Sequence, residues 1–265
     1  MACRTEAKAN EAIEKLHKDV AAKYPHSAAA AQVAKGHRLP LDFLQLDLND
    51  LNKTQKSAQE FLSRGLPLHI LINNSGIAGD PWGLSADGIE SHFAVNHLGH
   101  FVFTLALLDR LKESQPSRVV VVSSSVHTTL PAEGFDLSTI NDESVGIPMS
   151  RYGRSKLANI LFANALARRL AGTQVRVNSL HPGLVDTGMS RKVIGNMTEE
   201  TEGALTQLYL ATSPDVIKKD IRGRYFVPTA EEQELNADAL DVDLQEKLWE
   251  YSEKIVKEKL QKYKK

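Results

Sequence analysis

Apolar residues along this chain alternate between short unbroken runs and stretches with a helical repeat. That order predicts a parallel sheet flanked by helices on both faces. Ile13, Leu16 and Val20 fall at i, i+3 and i+7 and predict an amphipathic helix under way soon after Met1. Leu41 to Leu46 reads as a strand ending at Asp47, with Asp50 as the N-cap of the next helix and Gly65 as its end. "LPLHILINN" and "SRVVVVSSS" are apolar almost throughout, as strands covered on both faces should be. Between them a long helix is predicted from about Asp87 to Glu113. Residues 125 to 148 form a long loop, and a helix beginning near Ser150 buries Leu157, Ile160, Leu161 and Ala165. "TQVRVNSLHPG" supplies a further strand and its exit turn, followed by a helix at about Glu199 to Thr212 and a short strand in "GRYFVP". From Asp241 a charged helix turns Leu244, Leu248, Tyr251 and Ile255 inward.

Composition narrows the classes. The 265 residues carry a formal net charge of -1, which gives no electrostatic reason to expect a nucleic-acid partner. A single cysteine, Cys3, cannot form an internal disulfide and points to a reducing compartment, with the cytoplasm as the expected location. No apolar run approaches the ~20 residues that a membrane span requires. Without an internal repeat or a low-complexity linker, residues 1–265 are expected to form one α/β domain.

Chemistry concentrates at the predicted carboxyl ends of strands, where open parallel sheets meet their ligands. "YGRSK" sets Tyr152 and Lys156 one helical turn apart on one face, and a fixed ammonium beside a phenol favours the phenolate. Such a pair can move a proton near neutral pH, although YxxxK alone is a weak signal. Ser124, ending "VVVVSS", can hydrogen-bond a substrate oxygen. Ser75 and Gly76, in "INNSG", let a flat ligand approach the backbone. Asn96 sits within a predicted helix in "VNHLGHF", where its amide needs a partner. In "HPGLVDTGM", Thr187 can donate to an amide or a phosphate. His92, His97 and His100 do not share one helix face, so no metal site is expected.

In this order, "INNSG", "VNHLGHF", "VVVVSSS", "YGRSK" and "HPGLVDTG" resemble the motifs of the short-chain dehydrogenase/reductase family, and the spacing from Ser124 to Tyr152 is similar to its branch of retinol dehydrogenases and WW-domain oxidoreductases. The resemblance implies a Rossmann-like doubly wound parallel sheet. It also implies an NADP(H)-dependent oxidoreductase that interconverts an alcohol and a ketone or aldehyde on a small, moderately lipophilic molecule, with a biosynthetic role compatible. Tyr152 would be the acid/base, Lys156 its electrostatic partner and a holder of the nicotinamide ribose, Ser124 the group that orients the substrate oxygen, and Asn96 the anchor of a water linking Lys156 to solvent. Asp47 and Leu48 would contact the adenine. Asn73, Asn74, Ser75 and Gly76 would line the cofactor, and Pro182, Gly183, Val185 and Thr187 would cover the nicotinamide carboxamide. The segment around "VIGNM" takes the place of a substrate lid, and a homodimer is compatible with the family.

Arg4 matches an arginine that grips the 2′-phosphate of NADP, a contact suited to guanidinium geometry. By the same resemblance, the family's first strand, its glycine-rich turn and most of its second strand have no counterpart. The run "LDFLQLD" is therefore expected either to shift and pair with "LHILINN" or to be loosely held, and an internal methionine misassigned as the start codon is a simpler explanation of the beginning. A catalytically impaired, truncated relative acting as a non-catalytic binding or hetero-oligomer partner stays open beside the enzyme reading.

Overall fold

The computed structural model describes residues 1–23, 25–183 and 200–261. It is an α/β fold built on five strands in the spatial order β3 (Ile70–Asn73), β4 (Ser117–Val122), β5 (Val175–Leu180), β6 (Tyr225–Val227) and β7 (Glu231–Glu232). The first four are parallel and β7 returns antiparallel. β4 and β5 sit centrally and carry no exposed side chain. Their β-branched runs suit a pleated surface buried on both sides.

Residues 41–46 behave differently from either expectation. Only β2 (Leu44–Gln45) is a strand, and it pairs in parallel with β1 (Ala2–Cys3) instead of with β3. Leu44 N–H donates to the Met1 carbonyl at 2.9 Å, and Leu46 N–H donates to the Cys3 carbonyl at 2.9 Å. Leu44, Leu46 and Leu48 are buried in the same cluster as Leu71, Val119 and Val121, so this small sheet is held by side-chain packing as well as by its ladder. Among the described residues β3 has a strand on one side only, and its Ile70 and Ile72 are each 39% exposed.

The helices follow their caps. The opening helix α1 (Glu6–Lys23) buries Ala9 and Ile13 but leaves Leu16 exposed, so its apolar face is narrower than the sequence suggests. α2 (Ala28–Ala34) is capped by the Ser27 hydroxyl. In α3 (Leu51–Ser63), Asp50 accepts from Lys53 N–H at 2.9 Å, and Gly65 closes the chain with φ +68°, as its composition predicts.

The expected helix from Asp87 to Glu113 is instead four pieces: α4 (Ser91–Phe93), a π-helical turn (Ala94–Leu98), α5 (Gly99–Ala106) and α6 (Leu108–Glu113). Asp87 is outside it because its carboxylate accepts from Leu51 N–H at 2.9 Å, and Glu90 starts it by accepting from His92 and Phe93 N–H.

On one face of the sheet lie α5, α7 (Pro148–Arg169) and α11 (Val242–Gln261). On the other, α8 (Glu200–Thr212) and α9 (Pro214–Lys218) cover Val120, Val122 and Leu180 through Leu210, Ala211 and Val216. The short α10 (Ala237–Leu240) leads into α11, whose Leu244, Leu248, Tyr251 and Ile255 face inward as predicted. α11 lies along α7. Trp249 packs at 5.1 Å from Phe101 and 5.9 Å from Phe162, and the Arg169 guanidinium stacks 3.9 Å from its ring. Trp249→Ala should therefore lower unfolding free energy by about 3 kcal/mol or more in chemical denaturation, and a loss below about 1 kcal/mol would contradict this packing.

Candidate active site

The site is built where α7 crosses the carboxyl end of β4. The Val122 carbonyl accepts from Lys156 Nζ and from Asn159 Nδ2, each at 3.1 Å, and Ser123 Oγ donates to the Lys156 carbonyl at 2.7 Å. Gly153 makes this approach practicable, because a Cβ there would run into the backbone carbonyls of Val126 and Thr129. The loop from 125 to 148 is tied to α7 by two buried arginines. Arg151 donates to the carbonyls of Val145 (3.1 Å) and Glu143 (2.7 Å), and Arg154 donates to Thr139 Oγ1 (3.1 Å) and the Ile140 carbonyl (3.2 Å).

Tyr152, Lys156 and Ser124 come together. The Ser124 hydroxyl lies beside the Tyr152 phenol, close enough to favour its ionised form, and Lys156 Nζ lies 5.6 Å from the Tyr152 ring centre. Burial lowers the Lys156 ammonium to about 8. Burial also holds the Tyr152 phenol above its ordinary value, with the Ser124 hydrogen bond pulling the other way. Contrary to the expectation from the sequence, Lys156 is not among the groups that lower the phenol; burial prevails, so the phenol keeps its proton near neutrality.

Asn96 lies in the π-helical turn, a deviation that often re-aims a functional side chain. Its Oδ1 accepts from Ile77 N–H at 2.8 Å, and its Nδ2 donates to the Ile77 carbonyl and to Ser155 Oγ, both at 2.9 Å. The side chain thus fixes the backbone beyond Gly76, where a Cβ would stand 2.9 Å from Asn96 Oδ1 and 3.5 Å from Lys156 Nζ. The Asn96 carbonyl accepts from His100 Nδ1 at 3.0 Å.

The remaining sequence candidates divide. Asn74 and Ser75 are exposed after β3, whereas Asn73 turns inward and donates to Thr104 Oγ1 at 2.8 Å, which makes its side chain a packing element. Leu48 is also buried, pressed against Gly99, where a Cβ would meet the Leu48 Cβ at 2.8 Å. Arg4 and Asp47 share a cleft of about 280 Å³ with Gln45, Lys53, Lys56, Ser57 and Glu60. Half-buried Pro182 and Gly183 follow β5, with Gly183 at φ +88°. Val185, Thr187 and the "VIGNM" segment lie outside the described residues.

Two neighbours of Tyr152 are not evident as such in the sequence. His92 is fully buried beside its ring, and Tyr225, facing His127 at 5.4 Å, is buried with its hydroxyl unpartnered among the described residues. The i, i+4 spacing of His92, Asn96 and His100 was the available signal. Among the described residues no group of three or more His, Cys, Asp or Glu could hold a metal ion.

Residues 7–216 match the family model described as enoyl-(acyl carrier protein) reductase. The chain is 40% identical over 272 residues to retinol dehydrogenase 14 of Homo sapiens, covering 97% of this chain and 78% of that protein. It is 40% identical over 234 residues to short-chain dehydrogenase TIC 32 A, chloroplastic, of Brassica napus, covering 82% and 72%. The chain belongs to the short-chain dehydrogenase/reductase family. A protein from Shigella flexneri solved with NADP shares this family's fold at TM-score 0.62, with 20% identity over 85% of this chain and 84% of that one. No helix among the described residues is long and apolar enough to cross a membrane.

Buried histidines give this family member an acid-sensitive interior. Burial lowers His97 to about 3, His100 to about 4 and His181 to about 4, with positive charge on His100, Lys156 and His127 respectively adding to it. Each group binds its proton more readily in the unfolded chain, so its contribution is complete above about 6.5 and declines as pH falls toward 4. Urea denaturation should show stability falling between pH 7 and 5, and His97→Phe should flatten that fall. A pH-independent midpoint in the unsubstituted protein would contradict the assignment.

Proposed function

We propose that this chain is an NADP(H)-dependent oxidoreductase that interconverts an alcohol with a ketone or aldehyde on a small, moderately lipophilic molecule. The observation that carries the reading is the junction of Ser124, Tyr152 and Lys156 at the end of β4. A phenol that holds its proton beside a hydroxyl and a buried ammonium can protonate a carbonyl oxygen. Ser124 Oγ would hydrogen-bond the same oxygen and hold it against Tyr152 Oη, and Lys156 would stabilise the phenolate left behind.

The residues present fit a phosphorylated nicotinamide dinucleotide. The Arg4 cleft offers Arg4, Lys53 and Lys56 to a phosphate and Asp47 to a base or ribose hydroxyl. Exposed Asn74 and Ser75, with Gly76 beside Lys156, leave room for a flat group against the backbone. When bound, that cofactor supplies the hydride. The NADP in the Shigella flexneri protein and the retinol in the name of the human relative support the cofactor and the lipophilic substrate as readings for this chain. The free Cys3 agrees with a cytoplasmic, reducing location. A homodimer would need a face other than α7, which α11 covers.

Titration calorimetry should find NADPH binding more tightly than NADH, with Arg4→Ala weakening NADPH alone by about tenfold or more, roughly the worth of one charge-assisted contact. Tyr152→Phe should remove nearly all turnover of an aldehyde panel while NADPH affinity stays within about twofold. Unchanged turnover in Tyr152→Phe, or equal affinity for the two nucleotides, would sink the corresponding part of the reading.

A further inference from the structure

The helix running through α4, the π turn and α5 faces α7 with a line of polar groups one turn apart. His92 lies against Tyr152, Asn96 bonds Ser155, and His100 senses the charge of Lys156. The first of these pairs has no part in the proton transfer described above. His92 and Glu90 are both 0% exposed, and His92 Nδ1 lies 2.7 Å from Glu90 Oε1. A carboxylate oxygen only accepts, so Nδ1 carries the hydrogen and donates it.

Glu90 is itself fixed. Its oxygens accept from His92 N–H at 3.0 Å and Phe93 N–H at 2.9 Å, and its own N–H donates to Asn141 Oδ1 at 2.8 Å. Burial opposes its charge, but the hydrogen bonds from His92 prevail and keep the carboxyl below its usual value. The imidazole is therefore clamped on one side, while its Nε2 is buried with no partner among the described residues. Burying an unsatisfied nitrogen costs free energy, and no bond made by Nε2 accounts for the ring's position. What the ring does make is an edge-to-face contact with Tyr152, centre to centre 6.4 Å at 64°.

We propose that His92, clamped by Glu90, is a positioning residue for Tyr152, fixing the phenol ring so that its oxygen stays beside Ser124. This rests on Tyr152 being the acid of the proposed reaction. The oxygen lies beside Ser124, and His92 fixes the ring behind it. Without that second contact the phenol explores other orientations, and small misplacements of a reacting group are expensive in rate.

The test uses the full chain carrying 3-fluorotyrosine, with the Tyr152 resonance identified by its loss in Tyr152→Phe. His92→Asn keeps an amide donor for Glu90 and removes the part of the ring that meets Tyr152. Its turnover of the aldehyde panel with NADPH should fall about tenfold, with KM for NADPH within about twofold, and its Tyr152 fluorine signal should broaden or split. Glu90→Gln, which loosens the clamp but keeps the imidazole, should produce a smaller loss in the same direction. Wild-type turnover together with an unaltered fluorine signal in His92→Asn would overturn the proposal. So would a lowered melting temperature with the Tyr152 signal unchanged, since that marks a purely structural pair. Failure of the underlying reading shows separately, as turnover that survives Tyr152→Phe. The fluorine signal reports the His92 contact in either case.

Discussion

The Val122 carbonyl, at the end of β4, accepts hydrogen bonds from both Lys156 and Asn159. Through this joint the sheet dictates the axial position of α7, and every assigned group depends on it. Tyr152 lies one turn before Lys156. Gly153 lets the helix close onto the Val126 and Thr129 carbonyls, and Ser123 locks the Lys156 carbonyl from the strand side. Arg151 and Arg154, from the same turn, then hold the loop that follows β4. The segment "SRYGRSK" thus serves two ends at once, with Tyr and Lys aimed at the site and Arg, Gly and Arg fastening it.

Burial at this joint also sets the electrostatics. Removing Lys156 and Tyr152 from water penalises the charged form of each, which lowers the ammonium to about 8 and raises the phenol. The free protein therefore presents a proton donor rather than a base. His100 sits beside the ammonium and, lowered to about 4 by burial and by Lys156, stays neutral near pH 7, so it adds no competing positive charge.

Much of this was legible in the residues. Unbroken apolar runs marked β4 and β5, Asp50 and Gly65 marked both ends of α3, and the order of short motifs identified the family and the pairing of Ser124 with Tyr152 and Lys156. Other features could not be read from periodicity. Asp87 looked helical but caps α3 instead, and the π turn around Asn96 keeps the same apolar spacing as an α-helix while moving a side chain. The pairing of Ala2–Cys3 with Leu44–Gln45 depends on packing between segments far apart in sequence. Leu48 and Asn73 match cofactor motifs in the sequence, yet their side chains serve the core. The i, i+4 spacing of His92 with Asn96 and His100 places it on their helix face, but not beside Tyr152, because its neighbours are Glu90, two residues away, and Tyr152, in another helix.

Docking of α7 onto the end of β4 brings Ser124, Tyr152 and Lys156 together. The most direct measurement is the initial rate of NADPH-dependent aldehyde reduction by Gly153→Ala, whose added methyl group must push α7 away from the Val126 and Thr129 carbonyls. The rate should fall more than about tenfold below that of the unsubstituted protein, because Tyr152 and Lys156 move with the helix. Wild-type turnover in Gly153→Ala would contradict it.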